Sequence, residues 1–146
     1  MVRINIVEPE ILTDQHLLAE YVETRMLCSN LLRTLRSKNG FVPAKVPPEY
    51  TLNTGHCYFF YNKGKYLHDR YLLIKSELSR RGIKNDYDFP TEVWPKDLFN
   101  DWVPVEKDFN LVKARITERL QRKIWWYRYN RLPITELFLN QFGYIK

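Results

Sequence analysis

Eight prolines decide where this 146-residue chain can and cannot be helical. Pro9 ends an opening segment, "MVRINIV", that reads as extended and half apolar. Gly40, Pro43, Pro47 and Pro48 forbid a long helix between residues 37 and 50, and Pro90, Pro95 and Pro104 leave residues 83–107 irregular. The stretches between these breakers carry the helical period. A first helix, capped by Thr13 or Asp14, is expected to run to about Ser37. A second carries Leu67, Tyr71, Ile74 and Leu78 at i, i+4, i+7 and i+11, with Gly82 as its stop. A third starts near Asp108 with Val112, Ile116 and Leu120 as its apolar stripe, and a short helix follows Pro133. The run "CYFFY" fits a buried helix better than a strand in this setting. With no internal repeat and no low-complexity stretch, the expectation is one all-α domain over residues 1–146. It has three main helices, long irregular connections and an aromatic C-terminal tail. That length buries a core without disulfide staples.

Charge is distributed unevenly. Residues 113–131 hold seven Lys or Arg against the single acid Glu118, and residues 24–48 hold five and no acid. Between 85 and 108 the acids outnumber the bases. The net charge is +6, and the aromatic content of 15% includes the run "WWYRY" directly after the basic third helix. Arg115, Arg119 and Arg122 repeat at i, i+4 and i+7 on that helix. Each basic segment taken singly reads as a solvated helix face. Together with aromatics interleaved with arginine, they point to a partner with a phosphate backbone. Trp125 and Trp126 are expected to divide the tasks of stacking on a partner and closing the core.

Enzyme signatures of the common kinds are missing: there is no Gly-rich phosphate loop and no nucleophile elbow. His16, His56 and His68 lack metal-ligand spacing, and Cys28 and Cys57 read as free thiols of a reducing compartment. His56, in "NTGHCYFF", reads as a loop anchor. Neither a signal peptide nor an apolar run of membrane-spanning length is present, so a soluble intracellular protein, cytoplasmic with DNA, is expected. One polar feature stands out. In "DQHLLAEYVETRM", residues 14–26, a turn of ~100° per residue puts Leu17, Leu18, Tyr21, Arg25 and Cys28 on one side. His16, Glu20 and Glu23 fall opposite. The stripe reads either as a solvated face or as an acid–base site in which Glu20 and Glu23 perturb one another.

The residues "RIN" at 3–5, "DQHLLAEY" at 14–21 followed by Glu23, "TLNTGH" at 51–56, "FFY" at 59–61, "AR" at 114–115 and "WYRY" at 126–129 occur in order. This set resembles the phage- and virus-type pyrimidine-dimer DNA glycosylase/AP lyases over roughly residues 2–130, leaving 131–146 as a divergent tail. The resemblance implies a compact three-helix fold, no metal and no cofactor. It also implies a nucleophilic N-terminal amine on Val2, exposed when Met1 is removed, and an essential carboxylate at Glu23. That amine would attack sugar C1′ of a damaged nucleotide, expel the base as a Schiff base forms, and nick the strand by β-elimination. By the same resemblance Arg3 and His16 position DNA and the reacting sugar, Arg115 and Arg119 grip phosphate, and Trp126, Tyr127, Arg128 and Tyr129 support damage recognition. The family kinks DNA and flips out the base opposite the lesion.

Three positions depart from the family pattern. Val2 replaces the usual Thr, and Val22 and Met26 stand where arginines usually flank the glutamate. Arg25 is a neighbouring cation and a DNA-binding candidate, but one residue of shift turns it ~100° toward the apolar side. The expected partner is double-stranded DNA containing a lesion or an abasic site, bound by a monomer. The alternative is a homologue that keeps the DNA-bending scaffold with altered or lost chemistry. A protein-interaction module meeting an acidic partner is the third reading.

Overall fold

The computed structural model describes residues 3–144. Among them are the α-helices α1 (Asp14–Leu35), α2 (His56–Phe60), α3 (Gly64–Arg80), α4 (Glu106–Arg122) and α5 (Glu136–Gln141). A two-residue antiparallel ribbon joins β1 (Arg128–Tyr129) to β2 (Leu132–Pro133). The all-α class with three main helices, α1, α3 and α4, is therefore as the sequence predicts. "CYFFY" falls in and just after α2, with Phe59, Phe60 and Tyr61 buried. No helix among the described residues is long and apolar enough to cross a membrane.

Local chemistry sets the helix ends. Thr13 caps α1 by accepting the His16 N–H on its hydroxyl at 3.2 Å. Gly82 stops α3 with φ +72, and the Ile83 N–H reaches back to the Leu78 carbonyl at 2.8 Å while Gly82 N–H bonds Ser79. Helix α4 starts two residues before Asp108 because the Asp108 carboxylate accepts the Val105 N–H at 3.0 Å. The apolar stripes Leu67–Tyr71–Ile74–Leu78 and Val112–Ile116–Leu120 are buried throughout. In the acidic irregular stretch, Phe89, Trp94 and Leu98 are buried as well. The Trp94 and Phe99 rings close over Gly64, where a Cβ would collide with both. Tyr21 and Tyr71 stack and both hydrogen-bond the backbone of Tyr87, which ties this stretch to α1 and α3.

One face is corrected. Glu20, expected opposite the apolar side of α1, is fully buried, and Leu18 is exposed. The buried set on α1 is Leu17, Glu20, Tyr21, Thr24, Leu27, Cys28 and Leu31. At ~100° per residue Leu27 lies ~20° from Glu20, so the leucines of the later turns recentre the buried face onto the carboxylate. Its partner is Arg70 of α3, also buried, which donates Nε to Oε2 at 2.6 Å and a second nitrogen to Oε1 at 3.0 Å. Arg70 also donates to the Val7 carbonyl, and Glu20 accepts the Asn5 N–H at 3.1 Å. A second buried cation, Arg81, bonds Glu77 and Asp14 at 2.7 and 2.9 Å. Asp14 in turn accepts the backbone N–H groups of Asn130 and Arg131, so the ribbon seats on the start of α1.

Removing one partner of a buried ion pair strands the other, at a cost of ~3–5 kcal/mol. Arg70→Met should lower the unfolding free energy by that much in urea titration at pH 7. A loss under ~1 kcal/mol would mean that Glu20 does not depend on Arg70.

Candidate functional site

Among the described residues the opening segment pairs with no strand, yet Ile4, Asn5, Ile6 and Val7 are all buried. Side chains satisfy its backbone instead. The Arg3 N–H donates to Glu23 Oε2 at 3.1 Å, the Ile4 N–H to His56 Nε2 at 2.8 Å, and the Asn5 N–H to Glu20. The Tyr50 hydroxyl donates to the Ile4 carbonyl at 2.8 Å. At Ile6 the chain reverses with φ +50, a conformation β-branched residues rarely adopt, as the Val7 N–H closes a three-residue turn onto the Asn5 carbonyl.

This segment, the first turns of α1, α4 and the aromatic turn before β1 enclose a cleft of about 260 Å³. Its walls include Arg3, Asn5, His16, Glu23, Arg119 and Trp126, with Gln15, Ala19 and Tyr127 completing them. Pockets for drug-sized ligands run to ~300–1,000 Å³, so this one suits a small part of a larger ligand. Six residues singled out from the sequence thus converge: Arg3, His16, Glu23, Arg119, Trp126 and Tyr127. Arg115 stands near enough to depress the Arg3 pKa and donates to Asn53 at 3.3 Å. Three candidates lie elsewhere. The Arg25 guanidinium sits 4.3 Å from the Tyr87 ring centroid and 5.0 Å from that of Tyr21, on the side to which its one-residue shift turns it. The Arg128 guanidinium bonds the Trp125 and Tyr127 carbonyls. Tyr129 donates to the Glu10 carbonyl, stacks on Phe142 and lies under Arg81. Val2 and Met1 lie outside the described residues.

The aromatic run is corrected too. Trp125 and Trp126 do not divide the tasks: they are 71% and 49% exposed, and Tyr127 is the buried member. Gln15 had drawn no notice in the sequence. Its amide donates to the Trp126 carbonyl at 2.7 Å and its oxygen accepts the Arg128 N–H at 2.9 Å, which fixes the turn against α1. Asn5 was equally silent, although its side-chain oxygen is buried in the cleft wall without a hydrogen-bond partner. Gln15 and Asn5 sit inside the quoted motifs "DQH" and "RIN", the one signal that pointed to them.

Burial is the largest cause of the shifts at Arg3, Glu23 and His16. It lowers the pKa of Arg3, reinforced by Arg119 and Arg115 and opposed by Glu23. It raises the pKa of Glu23, although the Arg3 N–H and guanidinium pull the other way. Burial, then Arg119 and Arg3, pushes His16 down to about 4. The ring is therefore neutral at pH 7. It lies against Tyr127, with centroids 5.0 Å apart and planes 11° from parallel, and its Nδ1 is 2.8 Å from the Thr13 hydroxyl. The arrangement offers a half-buried carboxylate suited to moving protons, a neutral ring, and clustered guanidinium groups facing an exposed indole.

A larger cleft of about 760 Å³ borders Ile6–Ile11 farther along, between α3, α4 and α5. Of its three buried or half-buried charges, Arg70, Asp69 and Lys113, the first two are engaged by Glu20 and Lys65.

Residues 1–91 match the family model described as pyrimidine dimer DNA glycosylase. The chain belongs to that family. The glycosylase match takes in Arg3, His16, Glu23 and His56 and stops before α4. Members are named for cleaving the glycosidic bond at pyrimidine dimers, so damaged DNA is the substrate of the family.

The sign of the His16 shift fixes a pH dependence. The unfolded chain protonates His16 near 6.5 and the folded one near 4, so the unfolded state binds the extra proton between these values. Stability from this group is full above about 6.5 and is lost as pH falls toward about 4. His16→Gln should flatten the urea midpoint against pH across that window. Glu23 has the opposite sign, since its neutral form is favoured in the fold. Glu23→Gln should therefore leave the melting temperature at pH 7 unchanged or raised, and a marked drop would contradict the raised pKa.

Proposed function

We propose that this glycosylase excises an ultraviolet pyrimidine dimer or a related lesion and then nicks the strand as an AP lyase. In this reading the α-amine of Val2, freed by removal of Met1, attacks C1′. The C1′–N bond breaks and the base leaves with the bonding pair and one proton; the C1′–O4′ bond then opens, O4′ takes a second proton, and the amine has given up both of its protons when the C1′ imine is formed. The 2′ proton is then lost and the 3′ phosphate departs. Glu23 stabilises the cationic sugar and shuttles these protons.

The observation that carries this reading is the bond from the Arg3 N–H to Glu23 at 3.1 Å. Consecutive Cα atoms are ~3.8 Å apart, so a chain held by its residue-3 amide to this carboxylate can carry a residue-2 amine only a short way from it. Arg3, Arg115 and Arg119 would grip the phosphates beside the reacting sugar, and Trp126 offers its exposed face to a base. His16 would contribute shape and a hydrogen bond in its neutral form.

A second reading, a DNA-bending homologue with altered chemistry, is favoured by Val22 and Met26. They are 41% and 49% exposed on the helix that carries Glu23, so these two positions offer apolar side chains, not cations, to a phosphate.

Borohydride trapping distinguishes the two. With Met1 shown absent by N-terminal mass, an ultraviolet-irradiated duplex and an abasic duplex should both give a covalent adduct, and Glu23→Gln should abolish it on the irradiated one. Absence of adduct on both would falsify the enzymatic reading, and binding of kinked or abasic DNA without adduct would establish the second. Arg119→Ala should weaken binding across sequences and reduce the slope of log K against log salt by about 1. An unchanged slope would remove Arg119 from the phosphate contacts.

A further inference from the structure

We propose that His56 is a positioning residue for the N-terminal nucleophile, because its ring fixes the peptide plane between Arg3 and Ile4. The proposal rests on the Val2 amine being the nucleophile.

His56 opens α2 and is buried, with Tyr50 and Phe60 ring centroids 5.6 and 5.3 Å away. Its two nitrogens meet groups of fixed character. Nδ1 lies 2.7 Å from the Thr51 carbonyl, which only accepts, so Nδ1 carries the hydrogen. Nε2 lies 2.8 Å from the Ile4 N–H, which only donates, so Nε2 presents its lone pair. The neighbours therefore select one neutral tautomer. A cationic ring would set two N–H groups against each other at Ile4. The charged groups facing the ring are Arg3 and Glu20, with the Tyr50 hydroxyl as a further titrating group, and burial favours the neutral form.

Three successive peptide planes are held by side chains. Glu23 holds the plane entering Arg3 through its N–H. His56 holds the plane between Arg3 and Ile4. Glu20 and Tyr50 hold the plane between Ile4 and Asn5 from both edges. The fully buried Ile4 side chain and the Tyr50 bond retain Ile4 in the core without His56. What His56 alone supplies is the orientation of the plane between Arg3 and Ile4, next to the plane that Glu23 holds. Without it the Glu23 bond alone orients the chain leading to the amine, and a displacement of ~1 Å in a reacting group costs ~10²-fold in rate.

The test uses the full chain with Met1 removed, compared as wild type, His56→Asn and His56→Gln. The Gln carboxamide oxygen reaches the Nε2 position and restores an acceptor for Ile4. The Asn amide reaches the Nδ1 position and keeps Thr51 while leaving Ile4 unpaired. Single-turnover borohydride trapping on saturating abasic duplex is read beside the Kd for a reduced, uncleavable abasic duplex. Measurements are made well below each variant's unfolding midpoint. The expected result is a loss of ~10–100-fold in trapping rate for Asn with Kd within about twofold, and recovery of most of that loss in Gln. Asn trapping at the wild-type rate, or Gln and Asn falling together in proportion to their melting temperatures, overturns the positioning role. On the folded wild-type chain, a through-hydrogen-bond nitrogen–nitrogen coupling between the Ile4 amide and His56 Nε2 is expected, and its absence overturns the proposal whether or not the variants fold. A wild-type chain that forms no adduct overturns the amine nucleophile itself and this inference with it. A wild-type adduct beside an unimpaired Asn variant overturns only the role of His56.

Discussion

The Glu20–Arg70 pair joins α1, α3 and the opening segment at one buried point. Arg70 spends two of its donors on the carboxylate and one on the Val7 carbonyl, and the carboxylate spends its remaining capacity on the Asn5 N–H. As a source of stability such a pair is weak, since desolvating both ions offsets much of their attraction. Its consequence is register. An extended segment without a strand partner could slide along a purely apolar groove. Here a carboxylate and a guanidinium each accept or donate at one backbone group, so a shift by one residue would take the Asn5 N–H and the Val7 carbonyl away from their buried partners. The strained turn at Ile6 follows from the same demand: Asn5 must face Glu20 while Val7, two residues on, faces Arg70.

That geometry explains what was legible in the sequence. The stripes of α3 and α4 announced themselves because Leu67, Tyr71, Ile74 and Leu78, and Val112, Ile116 and Leu120, bury apolar atoms at the period of the helix. Thr13 and Gly82 were readable because caps act through their own side chain or its absence. Glu20 was not readable. A buried carboxylate and a solvated one are the same letter, and the partner that separates them lies 50 residues away. Leu18 misled in the opposite direction, since an exposed leucine beside a core face carries no local mark. Trp125, Trp126 and Tyr127 are interchangeable to a pattern argument, and Gln15 decides among them by fixing the turn that presents them.

The cleft itself was legible only through the resemblance. Composition pointed to polyanions and spacing aligned His16 with Glu23, but nothing local indicated that Arg3 and Arg119, 116 positions apart in the chain, border the same carboxylate. The resemblance carried that information residue by residue, but not the bonds that hold the opening segment in place. It gave Glu23 a role and His56 none, and the local pattern reads His56 as a loop anchor, yet the two accept consecutive N–H groups of one segment.

Every ionisable group lining the cleft with a resolved shift is displaced toward its neutral form: Arg3 and His16 downward, Glu23 and Tyr127 upward. Burial dominates each shift, and crowding of like charge adds to it at Arg3 and His16. A site in this condition is incomplete by itself, because the guanidinium groups repel one another and a single half-buried carboxylate opposes only part of their field. A phosphate placed among Arg3, Arg115 and Arg119 would offset the like charge crowding Arg3 and draw its pKa back up. The same anion would raise the carboxyl of Glu23 further, holding its proton longer during the steps that need an acid. The cleft with and without an anion is therefore in two different electrostatic states. The bonds from the Arg3, Ile4 and Asn5 N–H groups to Glu23, His56 and Glu20 restrain the backbone on which that change acts.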